Sequence, residues 1–123
     1  MKIEIRARNF EVTDEMRDAI GKRFRRVGNQ AKEPAELRIE LREERNPRIK
    51  DKMVAEATLW LKGGTLHAEE ASPEMLHSIH ELAEDIRRQV KRMREKERKR
   101  HQTRRMAEKL RGRSAPGRAQ SSA

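Results

Sequence analysis

Residues 76–93 read LHSIHELAEDIRRQVKRM, and two patterns run through them at once. Leu76, Ile79, Ala83, Ile86, Val90 and Met93 recur at three- and four-residue intervals, the apolar stripe of an amphipathic helix. From Arg87 onward the same helix fills with cations: Arg87, Arg88, Lys91, Arg92 and Arg94, then Lys96, Arg98, Lys99 and Arg100. The stripe ends at Met93 and the cations continue. One face of this helix is needed to build a core, and another is left for a partner outside it.

Working back from the helix, Ser72-Pro73 reads as its N-cap and first helical residue. Before that come two strands. Ala55, Ala57, Leu59 and Leu61 share one face of the first, and Leu66 and Ala68 share one face of the second. Gly63-Gly64 is the expected two-residue turn. That turn pairs Lys62 with Thr65, Leu61 with Leu66 and Trp60 with His67, which puts Trp60 and His67 on the outer face. Residues 43–52, EERNPRIKDK, form a polar loop. Leu37, Ile39 and Leu41 alternate with charged residues in another strand, as do Ile3, Ile5 and Ala7 at the start of the chain. Between these two lies a helix. Thr13 caps it, Asp14 and Glu15 open it, Met16, Ala19, Ile20, Phe24 and Val27 form its stripe, and Gly28-Asn29 offers a stop.

The order is β-α-β-β-β-α, an α+β fold. Strands with one apolar face and two amphipathic helices predict a four-stranded sheet with both helices packed on one side and a polar face open. Residues 1–94 make the domain and 95–123 a basic tail. Glu95–Arg111 consists of good helix formers without a buried face, and 112–123, GRSAPGRAQSSA, has the composition of a disordered segment.

Charge narrows the class of function. The chain has 123 residues, with 31 Lys and Arg against 21 Asp and Glu, or +10. Residues 1–94 carry 21 basic and 18 acidic residues (+3), and residues 95–123 carry 10 and 3 (+7). Such a surplus calls for a polyanionic partner, and nucleic acid suits it better than a membrane, because no basic helix has a strong lipid face. There is no cysteine, which excludes disulfides, thiol nucleophiles and cysteine-ligated metals. Neither a signal peptide nor a membrane span is visible, and the expected location is the cytoplasm. No catalytic constellation or phosphate-cradling glycine loop stands out, so the expectation is a non-enzyme without cofactor. His77, His80 and Glu84 share helical spacing, which four histidines in a short chain make cheap, and no metal is expected there.

Several ordered stretches carry a family resemblance over about residues 1–94. They are Phe10-Glu11-Val12-Thr13, Met16-Arg17, Lys22-Arg23-Phe24-Arg25-Arg26-Val27, Ala57-Thr58-Leu59, Gly63-Gly64, Leu66-His67-Ala68, Glu74-Met75 and Arg88-Gln89-Val90-Lys91-Arg92. In order and spacing the chain resembles the ribosome hibernation-promoting factors, also called ribosome-associated inhibitors. The resemblance implies a topology like that of double-stranded-RNA-binding domains. It also implies a seat on the small ribosomal subunit, in the channel of mRNA and tRNA, and an idle ribosome in resting or stressed cells. The partners would be ribosomal RNA and ribosomal proteins, in competition with mRNA and tRNA, bound by a chain that is monomeric when free.

Three departures stand out: Leu76 where many relatives have tyrosine, Asp85 where lysine is frequent, and a basic tail where long relatives carry a ribosome-pairing domain. The chain thus looks like a short form, or the N-terminal part of a longer one.

The residues expected to bind ribosomal RNA are Lys22, Arg23, Arg25 and Arg26, with Lys32 nearby, and Arg87, Arg88, Lys91, Arg92 and Arg94. Arg23 and Arg26 match basic positions of the family. Arginine suits the task because its planar fork grips phosphate and stacks on bases. Trp60 is the sole tryptophan. It reads either as a stacking platform for a base or as packing over His67. The alternative functions are a general structured-RNA-binding module or RNA chaperone, and a protein module whose basic tail docks on an acidic partner.

Overall fold

In a computed structural model of the chain, the strands and helices are β1 (Lys2–Arg8), α1 (Asp14–Ala31), β2 (Glu36–Glu43), β3 (Met53–Leu61), β4 (Gly64–Ser72) and α2 (Met75–Ser121). The structure describes residues 1–31 and 35–121, with side chains as far as 111. It comprises two compact units, Met1–Lys91 and Arg92–Ala123.

The first unit is built on a sheet of order β1-β2-β3-β4. β1 runs parallel to β2 across the α1 crossover, and the other pairs are antiparallel. Alternation decides which side is covered. Leu37, Ile39 and Leu41 of β2, Ala55, Ala57 and Leu59 of β3, and Ala68 of β4 are buried in one cluster. Ile20, Phe24 and Val27 of α1 and Met75, Ile79, Leu82, Ala83, Ile86 and Val90 of α2 complete it. Both helices therefore lie on one face, in the predicted α+β architecture. Among the described residues no helix is long and apolar enough to cross a membrane.

Local chemistry sets the ends of the elements. Thr13 caps α1: its Oγ1 accepts from Met16 N at 3.2 Å, and its carbonyl accepts from Arg17 N. The helix does not stop at Gly28-Asn29. It runs on to Ala31 because Val27 and Ala31, four apart, are both buried.

Two further boundaries differ from expectation. The β3–β4 turn is Lys62-Gly63, with Leu61 paired to Gly64, Trp60 to Thr65 and Leu59 to Leu66. Gly64, at φ 149°, is the residue that needs glycine. The register is shifted by two from the sequence reading, so every side chain keeps its predicted face. Ser72 is the last residue of β4, three ahead of the helix start at Met75, and Ser78 N donates to the Glu74 carbonyl at 3.1 Å. The buried stripe of α2 also includes Met75 and Leu82, while Leu76 and Met93 are half-buried.

The backbone of α2 continues helical to Ser121, past 112, where composition predicts disorder. A helix already under way adds one hydrogen bond per residue without a new nucleus. Lys32 and residues 122–123 lie outside the described residues.

Candidate nucleic-acid interface

The open sheet face carries five cations, Lys2, Arg6, Arg8, Arg38 and Arg42, against five carboxylates, Glu4, Glu36, Glu40, Glu56 and Glu69. Opposite charges face each other at Lys2–Glu36, Glu4–Arg38 and Arg6–Glu40, whereas Arg8–Arg42 and Glu40–Glu56–Glu69 set like charges side by side. Arg6 meets Glu4 at 2.6 Å, Arg42 meets Glu69 at 2.7 Å and Glu44 at 3.3 Å, and Arg8 reaches Glu40 at 3.6 Å. The Arg6 hydrogen bond holds the Glu4 carboxyl below its ordinary range. Partial burial works against the charge on Arg42, but Glu44 and Glu69 outweigh it and push its pKa up. A face this evenly balanced offers little net attraction to phosphate.

Trp60 sits at one corner of that face, 38 % exposed. It is not paired with His67. The register places His67 opposite Thr58, with the two side chains 3.2 Å apart, and His67 Nε2 lies 3.3 Å from Glu56. The ring is covered instead by the Arg38 guanidinium, 5.3 Å from its centroid, a cation–π pair across β2 and β3.

The helix layer is organised differently. Arg23 Nη1 donates to His80 Nδ1, and Gln30 Nε2 donates to the Arg87 carbonyl. Both contacts span 57 residues, so α1 and α2 run side by side in the same direction. Between them lies a groove of about 510 Å³, walled by Glu15, Asp18, Ala19, Lys22, Arg23 and Arg26 from α1 and by Leu76, Ala83, Glu84 and Arg87 from α2. Its charge is graded. Glu15 and Asp18 stand at the α1 N-terminal end, where the helix dipole favours anions. Lys22, Arg23, Arg26 and Arg87 gather toward the other end, where Glu84 pairs with Arg87 at 3.0 Å.

Within the first unit the structure thus brings four of the expected cations together and separates others. Arg25 is on the opposite flank of α1, beside Met1, Ile3 and Gly28. Arg88 lies on the β4 flank of α2, within electrostatic reach of Glu70. Burial, helped by the neighbouring carboxyls of Asp85 and Glu81, raises the Glu70 pKa, and Arg88 acts against them. Lys91 is exposed at the end of the unit. Arg92, exposed, and Arg94, half-buried, belong to the second unit. His77, His80 and Glu84 turn to separate partners: His77 to Glu81 at 4.0 Å, His80 to Arg23, and Glu84 to Arg87 at 3.0 Å. A different trio converges on the sheet, Glu56, His67 and Glu69, but Arg42 already supplies a cation to Glu69.

The family described as sigma 54 modulation protein / S30EA ribosomal protein matches residues 3–98. A ribosome hibernation promotion factor of Picosynechococcus sp. is 29 % identical over 97 residues, which is 78 % of this chain and 50 % of that protein. The chain therefore spans about half the length of this curated relative. Among solved structures, the N-terminal domain of Protein Y from Thermus thermophilus superposes with a TM-score of 0.64 at 27 % identity, covering 75 % of this chain and 98 % of that one. A ribosomal subunit interface protein from Coxiella burnetii gives 0.64 at 18 % identity, covering 76 % and 98 %, and shares the fold.

Proposed function

The chain belongs to the sigma 54 modulation protein / S30EA ribosomal protein family, and from that premise we propose that it is a ribosome-binding translation inhibitor. It lodges on the small ribosomal subunit in the cytoplasm, in the channel that mRNA and tRNA use, and keeps the ribosome idle in resting or stressed cells. The reading takes in the names of its relatives, one a ribosome hibernation promotion factor and one a ribosomal subunit interface protein.

The observation that carries it is the contrast between the two faces of the first unit. Arg6, Arg8 and Arg42 on the sheet are engaged by carboxylates, whereas Lys22, Arg23 and Arg26 gather at one end of the inter-helix groove, beside an Arg87 that pairs with Glu84. Phosphates of ribosomal RNA would be gripped there, with Arg25, Arg88 and Lys91 reaching further strands from the flanks. Arg92 and Arg94 would extend the contact, and the division into a binding domain over 1–94 and a basic tail over 95–123 belongs to the same reading. Trp60, one side covered by Arg38 and the other open, would take a base or a ribosomal protein side chain. The work is occlusion, and no bond is made or broken.

Co-sedimentation with purified small subunits tests this. Binding should saturate near one protein per subunit and be displaced by tRNA or by mRNA. Binding that never saturates, or that is as strong to any folded RNA, would replace the proposal with a general structured-RNA-binding module.

A further inference from the structure

The second unit presents a helical surface that the groove of the first does not use. Over residues 92–111 there are ten Lys and Arg against three Glu, at ~100° of rotation per residue. Arg98, Arg105 and Lys109 then fall within about 40° of one another, and Lys96, Arg100 and Arg104 within about 80°. The centres of these two rows are about 160° apart, so they run along opposite flanks of one helix. All six side chains are exposed.

What lies between the rows differs on the two sides. One side holds Thr103, Met106 and Leu110, with Lys99 between them and Arg92 and Glu95 in the first turn. Met106 is 68 % and Leu110 60 % exposed, and the Thr103 hydroxyl is turned back onto the Lys99 carbonyl at 2.8 Å. The other side holds Glu97 and Glu108, with His101. The helix is thus cationic on both flanks, mixed on one intervening side, where Lys99 stands among Met106, Leu110 and Thr103, and acidic on the other.

That arrangement matches a groove with a phosphate strand along each wall. We infer that the helix over 92–111 is an RNA-binding arm that lies in a duplex groove. Its two cation rows face the two backbones, Met106 and Leu110 face the floor with Lys99 between them, and Glu97 and Glu108 face solvent. A helix with its side chains is ~10–12 Å across, and the A-form major groove is too narrow to admit it. The occupied site is therefore duplex RNA opened by a bulge or internal loop. Charge complementarity selects the partner: seven net positive charges over twenty residues repel a second copy of the same helix, and the acidic side would turn away from phosphate. The inference deepens the ribosome reading, in that ribosomal RNA is the expected source of such a duplex. It concerns side chains that the first unit does not supply.

The test uses the full chain and two triple variants, Arg98→Gln/Arg105→Gln/Lys109→Gln and Lys96→Gln/Arg100→Gln/Arg104→Gln. Glutamine keeps helix propensity and removes charge. Binding is measured to an RNA hairpin with a bulge, to the same hairpin without one, to an unstructured RNA of equal length, and to phosphatidylcholine/phosphatidylserine vesicles. The expected result is a several-fold preference for the bulged hairpin and a loss of at least about tenfold in either variant. Each variant should also lower the log–log salt slope by about 2, from three phosphate contacts at about 0.7–0.9 each.

Equal binding to unstructured RNA, or a loss in only one row, would overturn the two-walled groove. Vesicle binding with hairpin binding indifferent to both rows would overturn the arm and assign the helix to a membrane. Saturable small-subunit binding that survives in both variants while hairpin selectivity is absent would overturn the arm alone and leave the ribosome reading standing.

Discussion

Ser78 shows how one polar side chain fixes where a helix meets a sheet. It is fully buried on α2, and its Oγ donates to the Met53 carbonyl on β3 at 2.7 Å. It also lies 2.6 Å from Ser72 Oγ at the end of β4. One hydroxyl therefore ties two strands to the first turn of α2, in surroundings where an unpaired carbonyl has no water to turn to. Ser78→Ala removes that partner. The expected cost is about 1–3 kcal/mol, the penalty for a buried polar group left unsatisfied, read as a lower midpoint in urea with an unchanged m-value. A loss below about 0.5 kcal/mol would mean that the Met53 carbonyl finds another donor. Ser78 was not singled out from the sequence, because on the helical wheel it is only a small residue beside Ile79. Its importance comes from Met53 and Ser72, which the fold brings to it.

At the scale of elements, legibility followed periodicity. The faces of β2 and β3 were readable because Leu37, Ile39, Leu41 and Ala55, Ala57, Leu59 alternate cleanly with polar residues. The hairpin register was not, because two adjacent glycines allow more than one turn, and a shift by two leaves the hydrophobic pattern unchanged. The inter-helix groove was legible only in outline. Clusters of arginine on each helix are plain in the sequence. That Arg26 faces the groove and Arg25 does not, or Arg87 and not Arg88, depends on how each helix is rotated on the sheet. Met75 and Leu82 contribute to that rotation, and the stripe read from Leu76 omitted both. The corrected turn can be tested. Gly64, at φ 149°, has open space around a would-be Cβ but a backbone that side chains resist. Gly64→Ala should cost about 1–3 kcal/mol, and Gly63→Ala distinctly less, in paired thermal or urea melts. Equal costs at the two positions would restore Gly63-Gly64 as the turn.

At the scale of the molecule the chain separates its charges by face and by unit. On the sheet, Arg6 and Arg8 are engaged with Glu4 and Glu40, so a phosphate approaching them must displace a carboxylate. In the groove, Arg23 rests on a histidine nitrogen, Lys22 and Arg26 are exposed, and Arg87 alone of the four is paired with a carboxylate, Glu84, so phosphate meets less competition there. Each phosphate neutralised contributes about 0.7–0.9 to the slope of log affinity against log salt. If the groove is the main contact, replacing Lys22, Arg23, Arg26 and Arg87 together by glutamine should flatten that slope for small-subunit binding by about 3. Replacing Arg6 and Arg8 should leave it nearly unchanged, although it alters the net charge by two. The comparison separates docking through a defined surface from attraction by total charge. If the slope fell in proportion to the charges removed, wherever they lay, binding would follow the overall field of a basic chain, and the groove would lose its claim to be the interface.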